Sequence, residues 1–310
     1  MKIIVTDKLA EEGMKILEDS GFEVKRGWDI PKEELPIEIA KYDAVIIRSA
    51  TKMKGELLEA AKNVKVIGRA GVGLDNVDLK KAKERNIVVR NTPAATSITV
   101  AEHAFSLMIA MAHRVAEGTA TLKDGKWAKS ELKGSELYQK TLGLIGAGKI
   151  ATEMAKRGIA FGMNVIIYRQ KQEDVIFSMF DKEFTIKCVP LEKLLAESDY
   201  ISLHVPLTDG TKHMLGKEQF NKMKKGARIV DASRGAVINQ KDLIEALKNK
   251  KVNAAALDVF EAEPLDEVGQ ELMNLPNVIG TPHLGAQCEE GQERAGIEVA
   301  EIVIEELKKL

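Results

Sequence analysis

TLGLIGAGKIATEMAKRGIAFGMNVIIYR, residues 141–169, contains an apolar run ending in Gly146-Ala147-Gly148, then a helix-forming stretch, then a second apolar run at residues 164–169. Strand, helix and strand of these lengths make one βαβ unit. Gly146 permits the tight turn that leaves the first strand, and Gly148 lets backbone N–H groups approach a pyrophosphate. The helix that opens at Lys149-Ile150 points its N-terminal partial positive charge at that anion. A dinucleotide is therefore the predicted ligand. Ala151 stands where the fingerprint has its third glycine, a position that only has to let helix and strand pack closely.

At the end of the second strand, about 20 residues on, an acidic side chain ordinarily accepts hydrogen bonds from the adenosine ribose of NAD. Tyr168 is instead followed by Arg169, Gln170 and Lys171. Arginine accepts no hydrogen bond, but its planar fork suits a 2′-phosphate, so the local chemistry points to NADP.

The same alternation extends in both directions. Upstream, strands are predicted at residues 2–6, 22–25, 44–47, 64–67 and 87–89, with helices at 9–19, 55–62 and 79–85. Downstream, strands at 184–189, 200–204, 227–230, 254–257 and 277–280 alternate with helices at 191–196, 217–223 and 240–248, and a helix at 292–309 closes the chain. Strands alternating with helices imply parallel sheets covered on both faces. The stretch 97–117 is apolar on nearly all sides and predicts one buried helix where the chain crosses between domains. His103 and His113 on it would lie about 15 Å apart, too far to share a ligand, and both are assigned structural roles. The fold expected is two doubly wound parallel-sheet domains. Residues 95–286 form a Rossmann-type cofactor domain inserted into a flavodoxin-like substrate domain made of residues 1–94 and 287–310.

Composition narrows the function. The 310 residues carry a net charge of −1, with 45% hydrophobic and 30% charged residues, so neither nucleic acid nor a membrane surface is an expected partner. Cys188 and Cys288 stand far apart with no C-x-x-C spacing, which argues against a disulfide framework or a metal site. The N-terminus has no apolar signal core, and the most apolar run, residues 104–112, falls short of the roughly 20 residues a bilayer span needs. A cytoplasmic location is expected.

Ligands of doubly wound sheets bind outside the carboxyl ends of the strands. In the first sheet those ends carry Arg48-Ser49-Ala50-Thr51 and Gly68-Arg69-Ala70-Gly71-Val72-Gly73. Arginine forks beside hydroxyls and glycine backbone predict a site for a small anionic substrate, held by Arg48, Ser49, Arg69, Ala70 and Gly71. In the second sheet the strand ends carry Arg234, Glu263 and His283, within DASRG, LDVFEAEP and TPHLGA. Together they offer a fork for a carboxylate or carbonyl oxygen, a titratable imidazole and a carboxylate to orient it.

With D-V-F-x-x-E-P, P-H-x-G-A and the spacing of Arg234, Glu263 and His283, the chain resembles the D-isomer-specific 2-hydroxyacid dehydrogenase family along essentially its full length. GRAGVGLDNVD (68–78), NTPAATSITVAEHA (91–104) and DGKWAKSELKGSELYQKTLGLIGAGKIA (124–151) are most similar to its phosphoglycerate-oxidising branch. The resemblance implies that His283 exchanges a proton with the substrate oxygen while hydride passes between the nicotinamide and C2. It implies that Arg234 clamps the carboxylate and keto oxygen, and that Glu263 holds the imidazole. It places His204, Val205, Pro206, Ala232, Ser233, Asp258 and Gly285 along the cofactor, NAD by family expectation. Arg48, Ser49, Arg69 and Lys129, the last reaching across a homodimer, match positions that hold a substrate phosphate.

Three departures remain. Thr96 stands where that branch usually has asparagine. Arg169 resembles the NADP-preferring glyoxylate and hydroxypyruvate reductases of the family. With the sequence reaching only Leu310, a C-terminal serine-sensing domain is not expected. The same fold also serves in corepressors that sense nucleotides without turnover, an alternative that keeps the arginine, glutamate and histidine.

Overall fold

A computed structural model describes all residues, 1–310, and the chain divides into two units, Met1–Thr99 with Ala286–Leu310, and Val100–Gly285. The sequence placed the crossings at 94/95 and 286/287. The first falls later because residues just past 94 are bonded into the first unit: Arg294 Nε donates to the Ala95 carbonyl at 3.0 Å, and a Cβ on Gly291 would lie 2.4 Å from Thr99 Oγ1.

The first unit contains β1 (Lys2–Val5), α1 (Glu11–Glu18), β2 (Glu23–Arg26), α2 (Leu35–Ile39), β3 (Ala44–Ile47), α3 (Gly55–Ala60), β4 (Val66–Arg69), α4 (Leu79–Glu84) and β5 (Val88–Asn91). All five strands are parallel in the order β2-β1-β3-β4-β5, the flavodoxin-like winding. Ala44, Val45, Ile46 and Ile47 are all fully buried, as a strand covered on both faces requires.

Helix α5 (Ser97–Ala112) opens the path into the second unit, followed by α6 (Val115–Lys123). The single helix expected over 97–117 is thus two. Arg114 between them is left-handed (φ 55°), and the Ala112 carbonyl, which a continuing helix would use, accepts instead from the Ser135 N–H at 2.9 Å. No residue of α6 is buried.

The second unit continues with β6 (Thr141–Ile145), α7 (Lys149–Ala160), β7 (Asn164–Tyr168), β8 (Val175–Met179), β9 (Lys182–Cys188), α8 (Leu191–Glu197), β10 (Tyr200–Leu203), α9 (Lys217–Lys222), β11 (Arg228–Asp231), α10 (Gln240–Lys248), β12 (Ala254–Leu257), α11 (Glu267–Met273) and β13 (Val278–Gly280). The strand order is β13-β12-β11-β10-β6-β7-β9-β8. Seven of the eight strands run parallel, and β8 adds an antiparallel edge not expected from the sequence. It is a hairpin turned by Phe180 and Asp181, both left-handed (φ 50° and 56°), without the Asn-Gly or Asp-Gly pair that would have announced it.

The chain then returns to the first unit as α12 (Glu289–Lys308), which packs on α1 and β4. A Cβ on Gly13 would sit 2.5 Å from the Gly296 carbonyl carbon, so the two helices cross backbone to backbone. α12 buries Ala295, Val299, Ala300, Val303 and Leu307, while Ile297, Ile302 and Ile304 of its expected apolar set are only partly covered.

Candidate active site

Strands β6, β10, β11, β12 and β13 are consecutive parallel neighbours, so the loops that follow them share one edge of the second sheet. Gly146 follows β6 with φ 109°, and a Cβ there would lie 2.3 Å from the His204 carbonyl oxygen of the turn after β10. Gly148 is the N-cap of α7, and a Cβ on it would meet nothing within 4 Å. That open cradle in front of the unpaired N–H groups of Lys149 and Ile150 fits a pyrophosphate. Ala151 is fully buried. Val205 and Pro206 continue the turn from His204, whose ring shares a 3.0 Å hydrogen bond with the Ser202 hydroxyl and whose pKa burial lowers to about 4.

After β7, Arg169 lies 4.0 Å from Glu173, which also binds Lys171 at 2.6 Å. This carboxylate is not legible from the fingerprint because it sits five residues beyond the strand end, where a fixed spacing does not look.

Asp231, Ala232, Ser233 and Arg234 follow β11. Asp231 Oδ1 accepts from the Ser233 N–H at 2.7 Å and from its hydroxyl at 2.6 Å, and the Ser233 carbonyl accepts from Arg234 Nη1 at 2.6 Å. Asp231 is 1% exposed and its Oδ2 has no hydrogen-bond partner. Burial raises its pKa to about 7 against the bonds from Ser233. Because the folded pKa lies above the unfolded one of about 3.9, its contribution to stability is full at low pH and is lost as pH rises to about 7. Asp231→Asn keeps the acceptor for Ser233 and removes that charge. The variant is expected to be more stable than the parent by a margin that widens to a few kcal/mol, order of magnitude, between pH 5 and pH 8 in urea unfolding. An equal margin at the two pH values would contradict a buried, proton-holding Asp231.

Glu263 and His283 meet across the ends of β12 and β13. Glu263 Oε2 is 2.8 Å from His283 Nδ1, and its Oε1 accepts the Phe260 N–H at 3.1 Å. The bond to Glu263 raises the His283 pKa over the opposing effect of burial. Glu263 is held low because the bonds from His283 and Phe260 outweigh its burial. With Nδ1 committed to the carboxylate, Nε2 is the nitrogen left for proton transfer, on a side chain that is 51% exposed. A Cβ on Gly235 would lie 2.0 Å from the Phe260 carbonyl carbon, so the Arg234 loop is pressed against the loop that carries Glu263.

Asp258, expected along the cofactor, is 1% exposed, and both of its oxygens are bonded inside the unit. Oδ2 accepts the Gly285 N–H at 2.8 Å; Oδ1 accepts the Leu284 N–H at 2.7 Å and the Thr281 hydroxyl at 2.6 Å, with His103 Nε2 at 3.1 Å. His103, assigned a purely structural role from sequence, therefore reaches the His283 loop. His113 is exposed.

In the first unit, Arg48 follows β3 and Arg69 ends β4, and Ile47 and Arg69 are register partners. Asp7 Oδ2 accepts the Arg48 N–H at 2.6 Å, and Asn76 Nδ2 donates to the Arg48 and Thr51 carbonyls at 2.7 Å each. Burial lowers the Arg48 pKa, with Asp7 opposing it. The backbone donors expected from Ala70 and Gly71 are already engaged: Ala70 N–H bonds Ile47 O at 2.9 Å, and Gly71 N–H bonds Thr92 Oγ1 at 2.7 Å. Ser49 and Lys129 are exposed, and Thr96 is 4% exposed.

Residues 105–285 match the family model described as D-isomer specific 2-hydroxyacid dehydrogenase, NAD binding domain. The chain is 45% identical to a hydroxypyruvate reductase of Thermotoga maritima, over 99% of this chain and 98% of that one. It is 46% identical to a D-3-phosphoglycerate dehydrogenase of Methanocaldococcus jannaschii, over all of this chain but 57% of the relative's length. A glyoxylate reductase from Paecilomyes thermophila superposes with a TM-score of 0.87 at 31% identity, covering 100% of this chain and 96% of that one.

Proposed function

The chain belongs to the D-isomer-specific 2-hydroxyacid dehydrogenases, oxidoreductases that work with a nicotinamide cofactor, and from that premise we propose that its substrates are 3-phospho-D-glycerate and 3-phosphooxypyruvate, a step of serine biosynthesis. The observation that carries the phosphorylated pair is the placement of two arginines, Arg48 and Arg69, at the carboxyl ends of neighbouring strands. A partly desolvated guanidinium fork binds phosphate more strongly than a hydroxyl.

In reduction, His283 gives its Nε2 proton to the C2 oxygen and is left neutral; in oxidation it takes the hydroxyl proton. Glu263 fixes the ring and favours its charged form. Arg234 draws the carboxylate and keto oxygen into register with that nitrogen. When bound, the nicotinamide supplies or accepts the hydride at C2. Gly146, Gly148 and the start of α7 would hold its pyrophosphate. Arg169 and Lys171 favour a 2′-phosphate, and Glu173 tempers that preference by binding both. The exposed Val115, Leu122 and Trp127, on or just after a helix that buries nothing of its own, support a homodimer through this segment.

A second reading is an NADPH-dependent reductase of hydroxypyruvate or glyoxylate, favoured by the end-to-end similarity to the Thermotoga maritima reductase. Hydroxypyruvate differs from 3-phosphooxypyruvate by one phosphate, and glyoxylate by the whole phosphooxymethyl group. Steady-state rates with 3-phosphooxypyruvate, hydroxypyruvate and glyoxylate, each with NADH and NADPH, separate them. The first reading expects kcat/KM at least about tenfold higher for the phosphorylated acid, a margin that Arg48→Ala removes. Equal or better use of glyoxylate or hydroxypyruvate selects the second. Arg169→Asp is expected to raise the KM for NADPH at least about tenfold and to change that for NADH much less. Equal effects on both would show that Arg169 meets no phosphate.

A further inference from the structure

We propose that His103 is a positioning residue for the reaction, acting through Asp258 to hold the His283 loop in its working conformation. The inference rests on the reading of His283 as the proton-transferring group. His283 is left-handed (φ 55°), a conformation uncommon for a residue with a side chain and maintained only where the surroundings over-determine it. One residue does most of that. Asp258 receives the His283 N–H on its carbonyl at 2.9 Å, the Leu284 and Gly285 N–H groups on separate carboxylate oxygens, and the Thr281 hydroxyl. Four residues of the five-residue loop 281–285 therefore hang from Asp258.

The remaining side-chain bond to that carboxylate comes from outside the loop. His103 Nε2 lies 3.1 Å from Asp258 Oδ1 and 3.0 Å from Thr281 Oγ1, bridging the acceptor and the first residue of the loop. Its neighbours on α5, Ala104, Phe105, Leu107 and Met108, are buried in the core of the second unit, so the helix that carries His103 is held in place by packing. The carboxylate is buried, and a buried acceptor deprived of one donor is strongly disfavoured. Without His103 the carboxylate would turn toward other donors, and the loop it carries would relax with it. The titratable and charged groups facing His283 are Glu263, Asp258 and Arg234, and the titratable groups facing Asp258 include His103 and Asp231. Relaxation of the loop lengthens the His283 bond to Glu263, and the His283 pKa falls toward the ordinary imidazole value.

The test compares His103→Leu, which removes the donor, with His103→Gln, whose amide nitrogen reaches about as far as Nε2, and His103→Asn, which is too short. The expected result is a kcat for reduction about 10- to 100-fold lower in the Leu and Asn variants, since a displacement of about 1 Å in a catalytic group costs on this order. The pH at which reduction falls off should move down by about half a unit or more, with the KM for the 2-oxo acid little changed and near-parent behaviour in Gln. If the Leu variant does not fold, the contrast of Asn with Gln carries the test. Parent-like kcat and pH profile in Leu or Asn, or a Gln variant as impaired as Asn, would overturn the proposal. His283→Ala measured beside them separates the two failures: if it retains turnover, the reading of His283 itself is wrong.

Discussion

His283→Ala is expected to lower kcat by about 10²- to 10⁴-fold while leaving cofactor affinity within a few-fold of the parent, since the imidazole moves a proton and the pyrophosphate is held elsewhere. The geometry behind this is the 2.8 Å bond between Nδ1 and Glu263, which leaves Nε2 as the transferring atom. The pair also fixes the pH dependence. Because Glu263 raises the His283 pKa, the protonated form needed for reduction persists above the ordinary imidazole range near 6.5, and the neutral form needed for oxidation appears only at correspondingly higher pH. Glu263→Gln removes the charge but keeps an oxygen at the same reach. It should bring both limbs down in pH and reduce kcat less than His283→Ala does. Stopped-flow or steady-state rates from pH 5 to 10, with cofactor binding followed by nicotinamide fluorescence, check both. Loss of cofactor affinity equal to the loss of turnover would remove His283 from its proton-transfer role.

The second large effect lies in the glycine loop, where two glycines are required for different reasons. Gly146→Ala would place a methyl 2.3 Å from the His204 carbonyl oxygen in a backbone at φ 109° that disfavours any side chain. Strain and clash together should destabilise the second unit by about 2–4 kcal/mol and weaken cofactor binding at least about 100-fold. Gly148→Ala meets no atom within 4 Å and has φ −81°, so the fold should tolerate it to within about 1 kcal/mol. Its methyl would stand where the pyrophosphate must approach the N–H groups of α7, and cofactor binding should weaken about tenfold or more. Thermal unfolding with and without cofactor, combined with direct titration, distinguishes the two. A Gly148→Ala variant that binds cofactor like the parent would mean the pyrophosphate lies elsewhere.

What was legible from sequence was carried by local periodicity and by punctuation. Apolar strands of a few residues, helices between them and glycine at 146 and 148 each act over a handful of neighbours, so they dictated the alternating α/β pattern, the dinucleotide loop and the strand ends bearing Arg48, Arg69, Arg234, Glu263 and His283. The β8–β9 hairpin escaped because its turn, Phe180-Asp181, adopts a left-handed backbone with residues that do not advertise it. The break after Ala112 escaped because a carbonyl is captured by Ser135, 23 residues along the chain.

The same distinction governs the site. The sequence by itself determined which groups could do the chemistry, because residue type sets whether a side chain can fork, titrate or accept. Only the tertiary structure decided which of them meet. It paired His283 with Glu263 and tied the 281–285 loop to Asp258. It brought His103 from a helix 155 residues earlier onto that carboxylate, set Glu173 beside Arg169, and engaged the N–H groups of Ala70 and Gly71 within their own unit. Hydrogen bonds act over about 3 Å of space irrespective of separation along the chain, and burial, which set the pKa of Asp231 and His204, exists only once the strands have packed.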